Sequence, residues 1–127
     1  MILKVGVDWT DIAPEIEQAK AIIDEVHKEY TGYEATCTSA RRAPNPGGSS
    51  LHAHGKALDL RTWAFGPADT ADGKARVRRF AADLRKRLGN DYDVIVEGPA
   101  AENPKYLTYT DGKPRAPHIH VEHDPKP

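Results

Sequence analysis

Little in this chain points to a membrane or to an oxidising compartment. One cysteine, Cys37, stands among 127 residues, which excludes an intramolecular disulfide framework and fits synthesis in a reducing cytosol. No apolar run approaches the ~18 residues that span a bilayer. The opening MILKVGVDWTD meets charge too early for the apolar segment of a secretory signal. The expectation is a soluble protein, cytosolic when made, with no membrane partner. An excess of basic charge is missing too. The net charge is −1, from 18 Lys and Arg against 19 Asp and Glu, which argues against general nucleic-acid binding, since that function usually marks its domain as strongly basic. Repeats, low-complexity blocks and internal linkers are absent.

What is present suits one domain over residues 1–127, because roughly 100–200 residues per domain is usual. A chain of this size buries about two thirds of its unfolded surface. Leu3, Val5 and Val7 alternate with Lys4 and Gly6, predicting a short N-terminal strand. Ile12, Ile16, Ala19, Ile23, Val26 and Tyr30 recur at spacings of four and three, predicting an amphipathic helix from about Asp11 to Tyr30. Thr10 or Asp11 is expected to cap it, Pro14 falls in its first turn, and Gly32 closes it. Tyr33–Thr38 reads as a strand with Tyr33, Ala35 and Cys37 on the buried face. Ser39 to Leu51 reads as a loop and Ala57–Arg61 as a second strand. A second helix is expected over Thr70–Leu88, ended by Gly89. YDVIVE, residues 92–97, reads as a central strand because Val94, Ile95 and Val96 run together. Residues 100–116 form an excursion, with a small hairpin expected around Asp111-Gly112. PHIHVE, residues 117–122, is the last strand.

The polar residues gather at two places. In SSLHAHGKALDLRT, residues 49–62, two histidines precede a glycine and an aspartate. In the last strand, period two puts His118, His120 and Glu122 on one face and Ile119 and Val121 on the other. His52, Asp59 and His120 would together make a mixed nitrogen and oxygen donor set, which suits zinc with a fourth position left for water. Gly55 would let the backbone turn between the first two. The spacing alone fits equally well with histidines that decorate a loop and a wet sheet face.

The run Ser50-x-His52-x-x-Gly55-x-Ala57-x-Asp59, followed far downstream by His118-Ile119-His120, resembles the metallopeptidase family of D-Ala-D-Ala carboxypeptidases and phage L-alanyl-D-glutamate endolysins. It resembles equally the zinc-binding signalling domain of Hedgehog, which shares their fold. The resemblance covers roughly Tyr33 to Asp124. It implies an α+β domain of the Hedgehog/DD-peptidase type, a mainly antiparallel sheet with two helices packed against it. It implies that His52, Asp59 and His120 bind zinc, and that the chain hydrolyses a peptide bond in peptidoglycan stem peptides. With no signal peptide and no wall-binding module recognisable in the sequence, the expected source is a phage or prophage, the enzyme reaching the wall after release or within the particle, and the chain is expected to be a monomer. Many members carry the catalytic glutamate three residues before the last zinc histidine, where this chain has Pro117. Other members end the preceding strand with it, a pattern like YDVIVE, and this places the general base at Glu97. His118 or an arginine would then help stabilise the tetrahedral oxyanion. Ser39-x-x-Arg42 resembles an upstream motif of the family. Arg42 is therefore a candidate for the oxyanion or for a substrate carboxylate, and Ser50 for ordering the ligand loop beside the substrate. A zinc domain that binds without catalysing is the alternative.

The remaining features read as structural. His54 is left out of the donor set. Glu122 is either a carboxylate orienting an imidazole or a salt-bridge partner. Seven basic residues of the second helix, Lys74 to Arg87, read as a solvated face, Cys37 as a buried small hydrophobe, and Trp9 and Trp63 as packing residues.

Overall fold

The computed structural model describes residues 1–43 and 51–126. The described chain is α+β, with two helices and a five-stranded mixed sheet. In chain order the elements are β1 (Ile2–Leu3), α1 (Pro14–Thr31), β2 (Thr36–Ser39), β3 (Ala57–Leu60), α2 (Ala71–Leu88), β4 (Tyr92–Glu97) and β5 (His118–His123). The sheet order is β1-β2-β3-β5-β4. β1 runs parallel to β2, and the three other pairings are antiparallel. Among the described residues no helix is long and apolar enough to cross a membrane.

The helices form where the apolar spacing predicts them. Ile16, Ala19, Ile23 and Val26 of α1 and Val77, Phe80, Ala81 and Leu84 of α2 are all buried. They meet the inward residues of the sheet: Cys37, Leu58, Leu60, Val94, Val96, Ile119 and Val121. Both helices thus cover one sheet face. Truncating Phe80, which is fully buried, to alanine would cost about 3–5 kcal/mol. Thr70 caps α2 by accepting from Gly73 N–H, and Gly89 follows its last turn. α1 starts later than expected: Ala13 is its N-cap residue, with no side-chain cap, and Pro14 follows. Proline tolerates that place because its missing N–H would find no partner in the first turn. Thr10 instead donates its backbone N–H and its hydroxyl to Asp8. Gly32 ends α1 at φ +82°, a left-handed conformation that glycine adopts without penalty.

Several local expectations give way. β1 is only two residues long, and Val5 is 98% exposed, since the chain turns at Val5 and Gly6, once the Lys4 N–H has bonded to the Cys37 carbonyl. Tyr33 precedes β2 and is exposed, leaving Ala35 and Cys37 buried. β4 lies at the sheet edge, not its centre. Its apolar run is explained by cover rather than by two neighbours: Val94 and Val96 are buried, and Arg85 of α2 donates Nε–H to the Val94 carbonyl at 2.9 Å. A basic side chain laid on an edge strand also blocks pairing with a second chain. Part of the basic face of α2 is engaged, while Arg76, Arg79 and Lys86 are exposed as expected. Arg78 donates to the Ala100 and Ala101 carbonyls, Arg85 pairs with Glu102, and Arg87 joins Glu29 of α1 to Asp83. Trp63 is 75% exposed, with the Arg61 guanidinium 3.8 Å from its ring centroid, so it does not pack in the core. In the excursion a single bridge pairs Thr108 with Pro114 around a turn at Gly112.

Candidate metal centre

The sheet face opposite the helices carries the polar residues, and strand register brings them together. Asp59 of β3 pairs directly with His120 of β5, and His120 with Ile95 of β4. One step along, His118 pairs with Glu97. Directly opposed residues in a ladder project their side chains to the same face. The alternation HIHVE therefore sends Ile119 and Val121 into the core and leaves His118, His120 and Glu122 on the other side.

His52 arrives from a one-turn helix, Leu51–His54, just before β3. Gly55 makes the connection at φ +68°, and a Cβ there would sit 2.3 Å from the Asp11 carbonyl oxygen. Only glycine suits that place. The Gly55 carbonyl accepts from Ala13 N–H at the start of α1, which ties the ligand turn to the helix.

His52, Asp59 and His120 form a group able to hold a metal ion. His52 Nε2 and His120 Nδ1 are 3.2 Å apart. Asp59 Oδ1 is 3.1 Å from His120 Nδ1 and 3.4 Å from His52 Nε2. Ligands about 2.0–2.1 Å from a tetrahedral ion stand about 3.3 Å from one another, close to each of these three separations. The outer nitrogens are held elsewhere. The Ala40 carbonyl accepts from His52 Nδ1–H at 2.6 Å, and the Glu122 carboxylate accepts from His120 Nε2–H at 2.7 Å. These bonds turn two imidazole lone pairs and a carboxylate oxygen toward one point, where they repel unless a cation or a proton lies between them.

Charge in the metal-free protein follows from this geometry. Burial opposes a charge on His120, but its bonds to Asp59 and Glu122 overcome that and push its pKa up to about 9. Its Nδ1 proton holds the centre of the triangle in place of a metal. Burial also works against the Asp59 carboxylate, yet the hydrogen bond from His120 and the neighbouring His52 and His118 rings outweigh it and hold its pKa far below the usual range. His118 donates Nδ1–H to the Ala116 carbonyl at 2.8 Å, and its Nε2 lies 2.6 Å from Glu97 Oε2. Both ring nitrogens face acceptors, so the ring is satisfied as an imidazolium. Against the cost of burial, Glu97 and Asp59 raise its pKa. Glu97 is lowered in turn, burial being outweighed by His118 and Arg115. Glu97 is 8% exposed and stands with Asp59 and His118 in one cluster.

The expected residues thus meet, with differences in detail. Arg42 is on the rim, its Nη2 3.9 Å from Asp59 Oδ2 and its side chain 53% exposed. Ser50 lies outside the described residues. His54 is exposed and belongs to none of the donor groups among the described residues. Arg41 donates to the Asp11 carbonyl and Arg61 stacks on Trp63, so neither reaches the site. Arg115 is the residue that sequence reasoning missed. It donates Nη1–H to Glu97 Oε1, from a place in the excursion whose return path no local pattern reveals. Ala40, whose carbonyl orients His52, left no signal either, because the acceptor is backbone.

The chain matches no protein-family model, no curated protein and no solved structure.

Proposed function

We propose that the protein is a zinc-dependent peptidase of the Hedgehog/DD-peptidase fold that hydrolyses a peptide bond in peptidoglycan stem peptides, as a phage or prophage endolysin would. The observation that carries this reading is the convergence of His52, Asp59 and His120 beside a separate carboxylate, Glu97, on the same sheet face. A binding module needs only the three donors; a hydrolase also needs a base next to them. The choice of zinc rests on two imidazoles and one carboxylate at tetrahedral spacing. The substrate class rests on the resemblance of the Ser50-to-Asp59 run and of His118-Ile119-His120.

A divalent ion held by these three side chains supplies positive charge that polarises a carbonyl and acidifies a water molecule. The chain's own groups do the rest. Glu97, kept ionised by His118 and Arg115, accepts the proton as the water oxygen attacks the peptide carbonyl carbon. The His118 imidazolium, whose two N–H groups are held by Glu97 and the Ala116 carbonyl, adds positive charge beside the developing oxyanion. Glu97 then returns the proton to the leaving nitrogen as the C–N bond breaks, giving a carboxylate and an amine. Arg42 on the rim orients the substrate. Release of new amino groups from purified cell walls by the zinc-loaded protein, and its loss in Glu97→Gln with zinc retained, tests the reading. No release from several wall types would leave the non-catalytic zinc module.

A further inference from the structure

We propose that Arg115 is a specificity-determining residue that recognises a free carboxylate on the substrate beside the scissile bond, an inference that rests on the peptidase reading. Arg115 is held from several sides. Its backbone N–H donates to the Leu107 carbonyl and its Nε–H to the Thr108 carbonyl, both at 3.0 Å. The Tyr109 and Tyr106 rings lie 4.8 Å and 5.6 Å from the guanidinium carbon. The chain returning past it presses on Gly98, where a Cβ would come within 3.0 Å of the Arg115 carbonyl oxygen and of Pro117 Cα.

Two of its five N–H donors are engaged, one by Thr108 and one by Glu97. Among the described residues Nη2 has no hydrogen-bond partner, and the side chain is 20% exposed. A guanidinium fixed at two points presents its remaining donors without much further loss of freedom, and a carboxylate is the partner its planar fork fits best.

Calorimetry on the metal-free protein, where no turnover occurs, tests this with the stem pentapeptide L-Ala–γ-D-Glu–L-Lys–D-Ala–D-Ala and its fully amidated form. The wild type is expected to bind the acid at least about tenfold tighter, the worth of one charge-assisted contact. Arg115→Gln should reduce that ratio to within about twofold, while Arg115→Lys keeps part of it. Thermal melts of both variants establish that they fold, and either one suffices for the comparison with wild type. Equal binding of the two peptides to wild type, binding of neither, or a preference that survives Arg115→Gln overturns the proposal. Wall hydrolysis by the zinc-loaded wild type reads out separately: acid preference without hydrolysis would remove the peptidase reading and leave Arg115 as an anion-recognition residue.

Discussion

His52 Nε2 and His120 Nδ1 face each other at 3.2 Å while the outer nitrogen of each ring is held, one by a backbone carbonyl and one by a carboxylate. That arrangement fixes which lone pairs are on offer, and Asp59 closes the triangle. In the metal-free chain one proton occupies the centre, so metal and proton compete for the same place.

Metal affinity should therefore depend on pH. His120 keeps its Nδ1 proton up to about pH 9, and a metal ion must displace it. Apparent zinc affinity is expected to rise about tenfold per pH unit up to about 9 and to flatten above it. Competition titrations with a chelator between pH 6.5 and 8.5 measure the slope; a flat profile would contradict the assignment.

The same groups set the stability of the metal-free protein. His120 is raised above its ordinary 6.5, so its contribution is complete below that value and is lost as pH rises through about 9. Asp59 is depressed, so its contribution is complete above its ordinary 3.8 and is lost only as pH falls toward its folded value. From these two groups, melting temperature should decline from pH 6.5 to 9 without metal. With saturating zinc that decline should shrink or reverse, as scanning calorimetry would show.

Glu122→Gln removes the carboxylate that accepts from His120 Nε2–H. Zinc affinity is expected to fall about 10–100-fold with the fold intact. An unchanged affinity would make Glu122 a mere surface partner.

Gly55→Ala places a methyl group against the Asp11 carbonyl at a positive φ. A loss of at least about 1–3 kcal/mol is expected, with weaker zinc binding because the His52 turn moves. Denaturant melts with and without zinc separate the two effects.

Glu97→Gln should lower wall hydrolysis by about 10²–10⁴-fold without changing zinc content. Equal activity would move the base elsewhere.

How much of this was legible beforehand follows the range of the interaction. Period-two alternation at His118, His120 and Glu122 depends on neighbouring residues alone and carried through to the sheet face. So did both helices, whose buried residues match the apolar spacing. The edge position of β4 was not legible, because Val94-Ile95-Val96 reads the same whether a strand or an arginine-bearing helix covers it. Trp63 was misjudged for a related reason: Arg61, two residues away, gives its ring a partner at the surface. Arg115 depends on where an excursion of the chain returns, which only the fold decides.

The most direct test is calorimetric zinc titration of chelator-treated protein at pH 7.5 in two buffers of different ionisation enthalpy. One zinc per chain with release of about one proton, both lost in His120→Ala, is the expected result. Absence of saturable binding, or one zinc still held by His120→Ala, would contradict the account.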